Sequence, residues 1–497
     1  MPDDDPDPRL NRLLRERLTI LADRHEAGLA WCDLNAFHSP LHEPPLLLER
    51  MPLLTPELWS CFLRRMTLVP AALDDLAQRY RVGVSRRHVP ARHQVLLCAD
   101  LCERWGSPDG AGGRLRALAL RRLRSAGIPR TGVTDRIVDA ADRADQAYAA
   151  FAGFLRRELA PVATPSEAVG RDHLQLDLRL HTGGDVNLDD AYEWGWHELG
   201  LVSAARDSVA RQISGAGRVD EAMAILDSNP AYIADSPEGY RRRLEEIAGS
   251  GLEKAAAVFD IAPQLRSFRI ELLRPDGPPG GYYPPSEGFE VGGKVIWRSL
   301  PASLSIWRDH VFVFHELIPG HHLQIGHTVL HSERFSAFQR FAARIPGHHE
   351  GWGLYAERLM DELGAFQDPG SRLGMLDARL LRTMRLVIDI GLHAGLPIPD
   401  NVWGWRVGGR WTRPVVEELL TARTSLPPAN RKTEADRYCG WPGQASSYLL
   451  GERAWCRGRE KAKRQGAHRF DLKAFHMAAL DLGPVGLDQL AGELAAL

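Results

Sequence analysis

The octapeptide His-Glu-Leu-Ile-Pro-Gly-His-His, residues 315–322, constrains this chain more than any other stretch. It opens like a zinc-protease helix, in which a second histidine four residues on would share the metal. Pro319 stands at that place, and His321 and His322 follow the Pro-Gly pair instead. Two imidazoles on one zinc must each bring a nitrogen to about 2.0–2.1 Å from it. On an unbroken helix an offset of six turns His321 about 120° away from His315, and an offset of seven leaves His322 roughly 10 Å along the axis. A continuous helix therefore fails for both.

Pro319 breaks the continuity. It lacks an N–H, collides with the carbonyl of His315 and pushes Ile318 out of helical angles, and Gly320 supplies the freedom to loop out and resume. Two looped-out residues return His321 to the place of the ordinary second ligand, with His322 as the close alternative. Glu316, next to His315, suits a general base for a metal-activated water. A site of this type needs a third ligand, commonly a glutamate on a later helix. "HHEGWGLYAERLMDELG" offers Glu350, beside Gly351 and Trp352, and Glu357 seven residues on along nearly the same face, as a carboxylate that supports a ligand. The pentapeptide IPGHH recurs at residues 345–349. There His348 and His349 read as half-exposed loop residues, and His310, His327 and His331 as structural.

Around this motif the chain reads as helix. "DRIVDAADRADQAYAAFAGFLRREL" and "LDDAYEWGWHELGLVSAARDSVARQI" repeat apolar residues at helical spacing. In "DSPEGYRRRLEEIAGSG" Ser236 is placed as N-cap, Pro237 as first helical residue, and Gly251 past the end. Alternating Phe268, Ile270 and Leu272, a Pro/Gly turn and a run at Val295–Trp297 predict a small antiparallel sheet just before the motif. The expected fold is mainly α with that sheet: an acidic disordered tail at 1–15, then one domain. Its helical lobe covers about 16–265, and the sheet and catalytic lobe about 266–497.

Composition narrows the function classes. A net charge of −2 on 497 residues gives no electrostatic reason to expect nucleic acid or an anionic membrane as partner. The N-terminus "MPDDDPDPRL" lacks the basic and apolar segments of a signal peptide, and no stretch nears the roughly 18 apolar residues of a membrane span. Six scattered cysteines read as free thiols, with Cys98 and Cys102 on a buried helix face, so a cytoplasmic protein is expected.

Five blocks in order, "FHELIPGHHLQ", "EGWGLYAERLMDELG", "RLVIDIGLHAG", "EADRYCGWPGQASSYLLGE" and "FDLKAFHMAALDLG", carry a resemblance. The chain resembles the bacterial family labelled domain of unknown function 885, candidate zinc metallopeptidases of gluzincin type with an HExxPGHH motif. The resemblance implies a gluzincin-like, largely helical architecture, one zinc ion per chain on His315, His321 and Glu350, and Glu316 as base. It draws attention to Arg385, Asp389 and His393, to Arg437, Gln444 and Tyr448, and to Tyr282 or Tyr283 near the cleft. His393 or Tyr448 would donate to an oxyanion, and Arg385 or Arg437 would pair with a substrate carboxylate unless they form structural ion pairs. Asp389 would support a ligand imidazole, and His322 would act beside the metal. The leading expectation is a zinc hydrolase of a peptide or other amide bond. The alternatives are a zinc metalloenzyme of specialised metabolism acting on an amino-acid-like molecule, and a non-catalytic helical binding protein with a vestigial site.

Overall fold

A computed structural model describes residues 7–106, 113–127, 132–215, 217–273, 280–297, 300–301 and 303–497. The chain is mainly helical with one small three-stranded sheet. The tail expected at 1–15 is helix from Pro8 onward, because Asp7 accepts from the amides of Arg9 and Leu10 and Pro8 starts the first turn. Residues 1–6 lie outside those described. Among the described residues no helix is long and apolar enough to cross a membrane. All six cysteines are free, and Cys98 and Cys102 are buried on one helix as expected.

The helices divide over separate apolar cores. Residues 34–163 bury their own cluster, in which Phe62, Tyr80, Cys98 and Tyr148 are almost wholly enclosed. A second and larger core joins the long helix Leu188–Ser214 to the C-terminal half. A third lies under the sheet, where Ile270, Val295 and Trp297 meet Trp307 and Phe314.

That sheet is mixed, not antiparallel. Its strands are β1 (Arg269–Leu272), β2 (Gly281–Tyr283) and β3 (Lys294–Trp297), in the order β1-β3-β2. β3 pairs antiparallel with β2 and parallel with β1, so the chain crosses over before closing the sheet. The Pro/Gly turn read at 274–279 lies outside the described residues. Ser236 caps its helix as expected, its hydroxyl accepting from the Gly239 amide at 3.0 Å. Gly251 does not end that helix, which continues to Ala255. A methyl there would meet the Phe314 ring at 2.8 Å, so this glycine serves packing.

Six helices build the site: α1 (His310–Glu316), α2 (His321–Leu330), α3 (Pro346–Glu362), α4 (Pro369–His393), α5 (Pro428–Gly440) and α6 (Ser447–Gly466). α4 starts cleanly because Asp368 accepts from the amides of Gly370 and Ser371, both at 3.0 Å, with Pro369 in the first turn. α3 and α6 cross on bare backbone. A methyl on Gly451 would lie 2.6 Å from Gly351 Cα and would overlap the carbonyl of Gly347. Gly451→Ala is therefore expected to destabilise the protein by about 3 kcal/mol, the upper end for an overpacked core. The midpoint of denaturant unfolding reads this loss; an unchanged midpoint means the two helices can part without strain.

Candidate metal centre and cleft

The break in the motif is real and local. α1 ends at Glu316, Leu317 leaves helical angles, the Ile318–Pro319 peptide is cis, and α2 begins at His321. Gly320 is required at the turn, because any side chain there would overlap the carbonyl of His315. The turn is pinned from across the site: the Trp352 indole N–H donates to the carbonyls of Pro319 and Gly320 at 2.8 and 3.2 Å. Since Trp352 is on α3, the clamp also brings Glu350 to the histidines. Gly353, on the same helix, lets α3 approach α1; a methyl there would sit 2.7 Å from His315 Nδ1.

The ligand atoms converge as a result. His315 Nε2 and His321 Nε2 lie 3.3 and 3.6 Å from Glu350 Oε2. All three atoms fall within 4.8 Å of one another. Donors about 2.0–2.2 Å from a tetrahedral ion are roughly 3.3–3.6 Å apart, and both separations from Glu350 Oε2 match that spacing. The donor set of two imidazoles and one carboxylate, open on one side, also fits that ion.

Glu357 supports the cluster as expected of it. Its carboxylate accepts from His315 Nδ1 at 2.7 Å, which turns Nε2 toward Glu350. Burial alone would push the His315 imidazole down, but hydrogen bonds to Glu350 and Glu357 outweigh it and raise it to about 9. A cation taking His315 must therefore displace a proton, and Glu350, held well below the usual carboxylate range by the two imidazoles despite its burial, stays ionised to receive it. Glu357→Gln is expected to lower metal affinity about 10–100-fold with the fold retained. Competition against a chelator checks this; equal affinities would remove Glu357 from the supporting role.

His321 and His322 take different parts. His322 is completely buried and both its nitrogens are occupied: Nε2 donates to the Leu265 carbonyl, and Nδ1 accepts from the Tyr282 hydroxyl, each at 3.0 Å. Burial pushes it down to about 4, so it stays neutral. His322 thus holds Tyr282 in place and lies outside the three-residue cluster.

The cluster forms part of the wall of a cavity of about 560 Å³. Glu316, Tyr282, Arg385, Arg437, Gln444 and Tyr448 all line it, as their selection from the sequence requires. Tyr283, on the neighbouring strand position, does not line it, and the Lys294 ammonium lies 5.9 Å from its ring centre.

Two expected residues are elsewhere. His393 is fully buried behind the cavity wall, its Nε2 donating to the Tyr438 carbonyl at 2.7 Å, so it reaches no substrate. Asp389 supports no ligand imidazole: it accepts from the amides of Gly443 and Ser446 at 3.0 and 3.1 Å and from the Ser446 hydroxyl at 2.6 Å. Both residues shape the turn before α6. The second IPGHH is not a loop either. Pro346 opens α3, His348 is buried, and His349 lines the cavity with Nδ1 donating to Gln324 at 3.1 Å.

Arg382 was not singled out by sequence. It lies on the cavity wall and bonds Glu357 at 2.7 Å. Its position three residues before Arg385, on the same helix face, is the signal that could have found it.

Three residues that could hold a metal ion thus lie at the wall of a cavity in a mainly helical fold. The chain belongs to the bacterial family of proteins of unknown function DUF885, whose sequence profile matches residues 3–494. Among solved structures it is similar to a candidate lipoprotein from Colwellia psychrerythraea, with 21% identity and a TM-score of 0.80, over 94% of this chain and 80% of that one. It is also similar to a candidate lipoprotein of unknown function from Shewanella oneidensis, with 15% identity and a TM-score of 0.70, over 97% of this chain and 86% of that one. At those identities the likeness extends to the fold alone. No curated protein matches.

Proposed function

We propose that this protein is a zinc-dependent hydrolase of a peptide or other amide bond. The observation that supports this best is the convergence of His315 Nε2, His321 Nε2 and Glu350 Oε2 at the wall of a cavity that Glu316 also lines. In this reading those three residues hold one zinc ion per chain. Zinc would supply Lewis-acid polarisation of a carbonyl and make a water acidic enough to lose a proton near neutral pH. Glu316 takes that proton and returns it to the leaving nitrogen. Tyr448 suits the oxyanion, because Arg437 donates to its hydroxyl oxygen at 3.5 Å and leaves the phenolic proton to point elsewhere. Tyr282, committed to His322, closes one wall of the cleft.

Elemental analysis of the purified protein, followed by hydrolysis of a mixed peptide library with and without chelator, tests the reading. The expected result is close to one zinc per chain and chelator-sensitive cleavage. A protein that neither carries nor takes up a transition metal ends it, and so does a fully loaded protein that cleaves no amide.

A further inference from the structure

Five arginines line the cavity: Arg340, Arg344, Arg382, Arg385 and Arg437. Among the described residues the carboxylates on the wall itself are Glu316 and Glu350, the latter in the metal cluster. Glu287, largely exposed to solvent, pairs with Arg340, and the buried Glu357 pairs with Arg382. Arg385 and Arg437 have to share one carboxylate, Glu434, each at 3.3 Å. Among the described residues Arg344 has no acidic partner. Arg385 and Arg437 thus set two guanidiniums against one carboxylate at the cavity wall, an excess that an entering anion would balance.

The excess is concentrated where geometry favours a carboxylate. Arg385 bonds Tyr438 through Nε at 3.4 Å and Glu434 through Nη2, so Nη1 carries none of these bonds. Arg437 Nη2 donates to Gln444 at 2.6 Å, which fixes the plane of its guanidinium against the cavity. The Arg385 guanidinium also lies 4.8 Å from the centre of the Tyr448 ring. A chain of contacts runs from the metal cluster toward the arginines. His315 bonds Glu357, Glu357 bonds Arg382, and Arg385 follows Arg382 by one helical turn, about 4.5 Å along the axis. Phe312, Ile325 and Leu381 on the same wall supply apolar surface for a side chain.

We infer that Arg385 and Arg437, with Gln444 and Tyr448 beside them, hold the free terminal carboxylate of a short peptide or N-acylated amino acid whose scissile amide reaches the metal cluster. This rests on the hydrolase reading above for the cleavage, though not for the binding. Charge-assisted hydrogen bonds of this kind discriminate an acid from its amide by about 10–100-fold.

Calorimetric titration of the purified chain with N-acetyl-L-leucine and with N-acetyl-L-leucinamide, repeated after chelation, tests the anchor. The acid is expected to bind at least about tenfold more tightly than the amide in both states, and Arg437→Gln to remove the difference. Arg385→Lys, which keeps the charge but not the paired donors, provides a second variant should Arg437→Gln fail to fold. Equal binding of acid and amide by the unaltered chain, or binding of neither, overturns the anchor. Cleavage of acylated dipeptides separates the two claims. Equal cleavage of free-acid and C-terminally amidated forms leaves the hydrolase standing without its anchor. A binding preference for the acid with no cleavage leaves the anchor standing and removes the hydrolase.

Discussion

Replacing Glu316 by glutamine is expected to lower turnover about 10²–10⁴-fold while leaving the metal content unchanged. Glu316 is the last residue of α1 and follows His315 directly, so its side chain leaves the helix about 100° around from the ligand. That angle keeps it out of the ligand set and directs it to the cleft it lines. Its charge is felt there: burial first, and then the Glu316 carboxylate, hold the Tyr282 hydroxyl well above the usual phenol range. Glutamine preserves shape and hydrogen bonding but cannot accept a proton. Glu350→Gln is the contrasting variant, because a neutral amide is a poorer ligand and metal itself should be lost. Zinc content and turnover measured on both variants decide the matter. A fully active Glu316→Gln protein would remove the mechanism even with the metal in place.

The second large effect separates adjacent histidines. His321→Ala is expected to abolish stoichiometric metal uptake, whereas His322→Ala keeps the metal and loses activity. His321 presents Nε2 to Glu350, and its ring stands 4.6 Å from that of His315 at 81°, an arrangement in which two imidazoles can share one ion. His322 faces away into the Leu265 carbonyl and the Tyr282 hydroxyl. Its removal frees Tyr282 from its partner and loosens one wall of the cleft. Metal retention in the opposite order would mean that the turn at Pro319 folds differently and that the cluster is not the ligand set.

What could be read from residues alone followed how local the determining physics is. The interruption of the motif was legible because proline and glycine act on their immediate neighbours. The choice between His321 and His322 was not, since it depends on a carbonyl 57 residues away in the chain. His393 and Asp389 carry the right chemical groups for the roles expected of them. Their true partners, Tyr438, Gly443 and Ser446, are likewise distant and leave no trace in spacing. The strands themselves were foreseeable from alternation, but their mixed pairing depends on a crossover that alternation does not encode. Glu434 went unnoticed because it is one acidic residue in a charged helix. Only the folded chain shows that it is shared by two guanidiniums.

Glu357 has one further consequence. Its Oε1 lies 2.7 Å from His315 Nδ1 and also 2.7 Å from Arg382, so a single oxygen atom serves both ends of the cleft. A ligand that drew Arg382 away would leave His315 as the remaining partner of that oxygen. Linkage makes any such effect reciprocal: the factor by which a bound anion alters affinity for the cation equals the factor by which the cation alters affinity for the anion. One oxygen atom thus joins the two ends, and the order in which they fill would not change the final free energy.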